Sequence, residues 1–294
     1  MMMKKVHLID VCAVFFRFYF SPAPEYLNDD GWDVSSLMSM IRWLSKKEFF
    51  TDELVIMAFD ESLGSGFRHE IDENYKANRA LPTDDIIYQL ALLKSVAQFM
   101  GFVVLASDEF EADDLIASAI DQLAEHTCII YSRDKDLKQL LKKNVNLLDF
   151  ANNTNWTPEL LLSHMDVEPS QVPLYLALVG DASDNIQGVK GVGDKTARQL
   201  LRGGRQWPEL LDSIKLGESF GVRGEARIKE NILANVPLIE KNLSLTRLSV
   251  DAPISFQREA LTDDNWQVLN ALLKQLNLQA PLKKSLGLIS GYVL

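Results

Sequence analysis

Apolar runs of strand length recur through the first half of the chain, and carboxylates follow each of them closely. "VHLID" ends at Asp10 and "ELVIMAFD" at Asp60; "FVVLA" runs towards "EADD", and "TCIIYS" towards "RDKD". Between these runs lie "LMSMIRWLSKK", "DDIIYQLALLKSVAQFMG" and "EADDLIASAIDQLAEH", with apolar residues at helical spacing. "NVNLLDF" reads as one more strand. Strands alternating with helices build a parallel sheet, because each return to the same edge needs a crossover. The C-terminal strand ends of such a sheet share one edge, where the ligand crevice opens. The fold expected is α/β. Asp10, Asp60, Glu111, Asp113, Asp114, Asp134 and Asp136 are all expected along that edge.

Singly, each acid has an ordinary explanation. Asp10 and Asp60 suit turns or caps, and "EADD" suits the first turn of a helix. An Asp-x-Asp such as Asp134/Asp136 suits a solvated turn. Independent caps have no reason, however, to gather at several strand ends of one sheet. So many carboxylates together raise one another's pKa unless a cation sits among them. Hard divalent ions do so, and Mg²⁺ suits sparse carboxylates with water and phosphate. A net charge of −11 argues against nucleic acid only if those carboxylates stand bare. No run approaches the eighteen apolar residues of a membrane span. Cys12 and Cys128 read as buried free thiols, which suits a cytoplasmic setting.

Beyond about Asn152 the strand signals fade, and helices take over, beginning at the Thr-Pro cap of "TPELLLSHM". The expected division is a parallel-sheet core over residues 1–165 and a smaller helical region over 166–294. Within the second, "LVGDASDNIQGVKGVGDKTARQLL" adds Asp181 and Asp184, then Gly188, Gly191 and Gly193 in a tight turn between helices. That pattern suggests a helix-hairpin-helix, which grips duplex backbone without reading sequence. Lys190, Gly191, Gly193, Lys195 and Thr196 are its candidate DNA contacts. "FRHEIDENYKANRALPTDD" offers Arg68, Lys76 and Arg79, with Tyr75 as a stacking surface. A solvated basic loop explains that stretch equally well.

Taken in order, "LID", "FD", "FRHE…YKANR", "EADD", "SRDKDLKQLL" and "GDASDNIQGVKGVGDKTA" resemble the 5′-nuclease, or flap endonuclease, superfamily. The likeness covers roughly residues 4–250 and is greatest to bacterial 5′→3′ exonucleases and the amino-terminal nuclease region of DNA polymerase I. It implies a PIN-like core with a helical arch, followed by a helical domain with a helix-hairpin-helix. It implies a metal-dependent nuclease acting on DNA at 5′ ends, flaps or nicks, as a cytoplasmic monomer. Two Mg²⁺ ions, for which Mn²⁺ can substitute, are expected. Asp10, Asp60, Glu111 and Asp113 would hold one, with Asp114 nearby; Asp134, Asp136, Asp181 and Asp184 would serve the other, with Lys135 turned elsewhere. Lys76 and Arg79 fall at the base of the arch as catalytic cations, and the hairpin carbonyls suit K⁺. One departure is Val11, where the family has a small residue; it is expected to crowd the backbone near the metals. The rival readings are a PIN-type ribonuclease and a non-catalytic junction-binding paralogue.

Overall fold

The computed structural model describes residues 5–21, 25–45, 54–62, 64–258 and 263–275. Its sheet is built from β1 (Lys5–Asp10), β2 (Leu54–Asp60), β3 (Val103–Ser107), β4 (Thr127–Tyr131), β5 (Val145–Asp149) and β6 (Thr154–Trp156). The spatial order is β3-β2-β1-β4-β5-β6. All neighbours run parallel except β5 and β6, whose antiparallel pairing the sequence pattern had not suggested. The order reverses direction between β1 and β4, and a crevice opens at such a switch point. Lys46, Lys47 and Glu53, expected at the end of a helix and the start of β2, lie outside the described residues.

Both faces of the sheet are covered, so its strands read as continuous apolar runs. Side chains alternate between two cores, as a period of two requires. Ile9, Val55, Met57, Phe59 and Tyr131 face one core, with α1 (Val11–Tyr19), α2 (Ser35–Leu44) and α4 (Asp84–Phe99). Val6, Leu8, Ile56, Ala58 and Ile130 face the other, with α5 (Ala112–Gln122). The sequence reading overlooked α1 because its aromatics hide the spacing. Val11, Val14 and Phe15 form the buried stripe, and the Asp10 side chain caps the helix by accepting from Ala13 N at 3.1 Å. Val11 therefore points into the core, fully buried, and does not crowd the strand edge as expected.

The segment between β2 and α4, which carries Lys76 and Arg79, holds α3 (Phe67–Ile71) and then a run of turns. Lys76 sits in that run with φ +54, a left-handed conformation that a turn imposes. Beyond the sheet come α6 (Pro158–Met165), α7 (Val172–Val179), the two-residue strands β7 (Gly180–Asp181) and β8 (Ile186–Gln187), α8 (Asp194–Leu201), α9 (Glu209–Lys215), α10 (Glu225–Ala234) and α11 (Val236–Thr246). Together α7 to α11 enclose a third core, built around Leu178, Leu200, Ile232 and Ile239. The chain then returns to the sheet: Ala252 joins the second core, and α12 (Asp263–Gln275) stacks Trp266 on Phe99 of α4, with ring centroids 4.9 Å apart.

Candidate functional site

Four of the strands that end at the switch-point edge deliver carboxylates to it. Asp10 closes β1, Asp60 closes β2, Glu111 and Asp113 open α5 just beyond β3, and Asp134 follows β4. These five line one open cavity together with Lys76, Arg79, Arg133 and Lys135. A hydrogen-bonded chain fixes the β1–β4 side. The Ser132 hydroxyl donates to Asp10 Oδ2 at 2.7 Å, Asp134 N donates to Ser132 Oγ at 2.9 Å, and Asp136 N donates to Asp134 Oδ1 at 2.9 Å. Ser132 is the member the sequence reading missed; its place between strand and acids was the available signal.

Asp181 and Asp184 arrive from the helical region, on the β7–β8 turn. With Asp136 they form a trio whose ligand oxygens all lie within 4.8 Å of one another. That turn is stitched to the segment carrying Lys76. Lys76 N donates to Asp184 O at 3.0 Å, Asn78 Nδ2 to Ala182 O at 2.8 Å, and Asn185 Nδ2 to Asn74 O at 2.8 Å. The cations are paired within this edge. Lys76 Nζ lies 2.6 Å from Glu111 Oε1, Arg79 Nη2 2.6 Å from Asp184 Oδ1, and Lys135 Nζ 2.8 Å from Asp181 Oδ1. Lys135 therefore belongs to the cluster and does not turn elsewhere.

Three assignments change once the side chains are seen. Arg68, expected on DNA, is 2 % exposed. Its guanidinium donates to Asp114 at 2.5 and 2.8 Å, to Glu111 at 3.3 Å, and to the carbonyls of Leu245 and Arg247. Asp114, expected near the metals, is saturated: Arg68 takes both oxygens, and Glu111 N and Ser249 N donate to them as well. A carboxylate accepting four hydrogen bonds has no lone pair left for an ion. Tyr75, expected to stack, is 4 % exposed, and its hydroxyl lies 3.1 Å from both Glu111 Oε2 and Asp184 Oδ2, with one proton to share between them. These three residues brace the site from behind. Cys12, expected buried, is partly exposed in the cavity wall, while Cys128 is buried as expected; both are free.

The electrostatics divide the acids into two groups. Burial raises the Asp10 carboxyl to about 6, against the hydrogen bonds from Ser132 and Ala13 and helped by the charges of Asp134 and Asp60. Burial and neighbouring carboxylates push Asp113 and Asp136 well above the ordinary range, and Asp134 upward too. Burial would also raise Glu111, but Lys76 and Arg68 outweigh it and hold that carboxyl low. Asp181 is held low in the same way, Lys135 and Ser183 outweighing its burial. The four internal cations, Arg68, Lys76, Arg79 and Lys135, are paired with other acids and leave Asp10, Asp113, Asp134 and Asp136 under-compensated. Asp136 Oδ1 is buried with no hydrogen-bond partner among the described residues. An all-oxygen set with an orphaned acceptor and unrelieved repulsion fits a hard divalent cation.

None of the expected hairpin contacts lines this cavity. Lys190, Gly191, Gly193 and Lys195 are exposed and Thr196 is partly so, around the start of α8. Gly191 has φ +87, and Gly193 is extended with open space where a Cβ would stand. Gly188 serves another purpose: a Cβ there would meet the Val179 carbonyl oxygen at 2.1 Å. The Lys190 carbonyl accepts from Asn231 Nδ2 at 2.7 Å, which ties the hairpin to α10.

Comparison with known proteins agrees with this architecture. Residues 5–166 match the family model described as 5′-3′ exonuclease, N-terminal resolvase-like domain, and residues 167–268 match the 5′-3′ exonuclease, C-terminal SAM fold. The 5′-3′ exonuclease of Aquifex aeolicus is 28 % identical, over 96 % of this chain and 95 % of its own. The thermostable DNA polymerase I of Thermus thermophilus is 30 % identical over 98 % of this chain, which spans 34 % of the polymerase's length. Among solved structures, a zinc-bound T5 5′-exonuclease superposes with a TM-score of 0.64 and 22 % identity, covering 93 % of this chain and 100 % of that one; the likeness is one of fold. With its first 5′-3′ exonuclease domain matched over more than half its length and the second domain following directly, this chain belongs to the 5′-3′ exonuclease family.

Proposed function

We propose that the protein is a Mg²⁺-dependent phosphodiesterase that cleaves DNA near 5′ ends, flaps or nicks, acting as a cytoplasmic monomer. One observation carries this reading: five carboxylates from four strand ends line a cavity with Lys76 and Arg79, and the trio of Asp136, Asp181 and Asp184 adjoins it through the Asp136–Asp134 hydrogen bond and the Arg79–Asp184 pair. Residues 1–165 would supply the catalytic edge. Residues 166–294 would supply Asp181, Asp184 and the duplex grip at Lys190, Gly191, Gly193, Lys195 and Thr196, where K⁺ would sit on the turn's carbonyls.

Asp10, Asp60, Glu111 and Asp113 would hold one Mg²⁺, and Asp134, Asp136, Asp181 and Asp184 the other. When bound, the ions supply positive charge that lowers the pKa of water and neutralises charge on the phosphate. The chain's own residues do the rest. Lys76 is anchored on Glu111 beside the cavity, so its ammonium is placed to meet a phosphoryl oxygen as charge builds there. Arg79, half exposed on Asp184, is placed to hold the approaching strand. Arg68 and Tyr75 keep Glu111 in position and exclude water behind it. Ser132 orients Asp10 and Asp134 together.

The test is product size from a 5′-flapped duplex with and without Mg²⁺. Short 5′ fragments in Mg²⁺ and none in EDTA support the reading; cleavage indifferent to EDTA refutes it. Replacing both Asp134 and Asp136 by asparagine should abolish cleavage and leave DNA binding equal or tighter, since negative charge is lost. A double variant that still cuts at the parent rate would sink the metal assignment.

A further inference from the structure

We propose that Lys135 is an internal counterion of the second cation position, holding Asp181 until a divalent ion displaces its ammonium. This rests on the reading of the acidic edge as a metal centre. The trio of Asp136, Asp181 and Asp184 is already partly neutralised by the protein itself: Lys135 on Asp181 at 2.8 Å and Arg79 on Asp184 at 2.6 Å. The third member keeps its buried Oδ1 unpaired. A cation entering among these carboxylates meets the unpaired Asp136 Oδ1 and two carboxylates that each already carry a cation, Asp181 on its Oδ1 and Asp184 on its Oδ1.

Lys135 is built to leave. Its side chain is 46 % exposed, whereas Asp181 beneath it is 3 % exposed. The ammonium is a hydrated point charge on a flexible stem, so little geometry is lost when it swings into water. Arg68 shows the contrary design within the same edge, being 2 % exposed and fixed by acids and carbonyls together. Asp181, by contrast, stays in place without Lys135, because Ser183 donates to its Oδ1 through both N, at 2.9 Å, and Oγ, at 2.5 Å. The acceptor is thus preformed and the donor is detachable. Placed in sequence between Asp134 and Asp136, Lys135 cannot drift far when released, and it competes with every ion that approaches. The device keeps second-ion affinity weak in the DNA-free protein and prevents the trio from trapping a divalent ion permanently.

Titration of the DNA-free, full-length protein with Mn²⁺, followed by the electron paramagnetic resonance signal of the free ion, tests this without any turnover. Removing one positive charge about 5 Å from a divalent ion strengthens its binding on the order of tenfold even in a water-like dielectric. K135M should therefore tighten the weaker class of Mn²⁺ sites by about that factor, and K135R, which keeps the charge, should stay within about threefold of the parent. D136N should remove the weaker class. A K135M affinity within about twofold of the parent, with the weaker class still abolished by D136N, overturns the counterion and leaves the metal centre standing. Equal tightening in K135R and K135M also overturns it, since shape rather than charge would then be the cause. If D136N leaves Mn²⁺ binding unchanged, the metal-centre reading falls and takes the counterion with it.

Discussion

Lys76 is the residue at which catalysis and simple attraction separate. Its ammonium is largely buried on Glu111, and its pKa stays raised because Glu111 and Asp184 outweigh the burial that would lower it. A cation that merely draws DNA in would act on KM, and its loss would lower the salt slope by about one unit. A cation that meets the phosphate in the transition state acts on the saturated rate, typically by ~10²–10³. Lys76→Ala should follow the second pattern and Arg79→Ala mainly the first. Single-turnover rates at saturating enzyme decide it, and a Lys76→Ala rate within a few-fold of the parent demotes the residue to steering. Asp10 permits a second test, in EDTA. Its carboxyl rises from 3.8 to about 6 on folding, so the folded state binds the extra proton. The stability this contributes is complete below about pH 4 and is lost as pH rises through about 6, up to ~3 kcal/mol. Metal-free Asp10→Asn should therefore gain stability over the parent at pH 7 and show no such gain at pH 4. Equal differences at both pH values in urea melts would contradict the burial account of Asp10.

At the scale of elements, the two kinds of glycine in the hairpin make opposite predictions. Gly188→Ala drives a Cβ against the Val179 carbonyl, a backbone group with no rotamer to change, and should cost at least ~1–3 kcal/mol. Gly193→Val meets no atom within 4 Å at its Cβ, so stability should hold, while duplex binding weakens for all sequences alike. A Gly193→Val protein that melts early, or that binds some sequences normally, contradicts this division. The strands and their acids were legible because continuous apolar runs of strand length, followed closely by carboxylates, mark a sheet buried on both faces whatever the tertiary arrangement. The roles of Arg68, Tyr75 and Lys135 were not legible. Arg68 is fixed by carbonyls near residue 246, some 177 positions away, and no local pattern marks a basic residue as interior. The same reasoning applies to the stretch from Arg68 to Arg79. A basic, polar stretch looks solvated in sequence, yet its turns are pinned onto the β7–β8 turn by partners more than a hundred residues distant.

Across the whole molecule, the acidic site is shared between its two halves. Asp10, Asp60, Glu111, Asp113, Asp134 and Asp136 come with the sheet, Asp181 and Asp184 with the helical region, and Lys241 reaches back to Asp72 at 2.6 Å. Docking of the helices is what completes the trio, so an ion bound there should act as a clamp between the halves. A ligand at 100 times its Kd stabilises the folded state by ~2.7 kcal/mol, which for a chain of this size raises Tm by about 5 °C. Saturating Mg²⁺ should produce a shift of that order in the parent protein. Asp181→Asn combined with Asp184→Asn removes only the ligands from the helical side. The double variant should retain the part of the shift due to the sheet-edge ion and lose the rest. It should also lose protection of the 72–79 and 181–185 amides on Mg²⁺ addition in hydrogen exchange, because those two segments are held together at the trio. An undiminished Mg²⁺ shift in that variant would mean that the sheet edge binds both ions alone, and that the helices are held by packing without help from the metal.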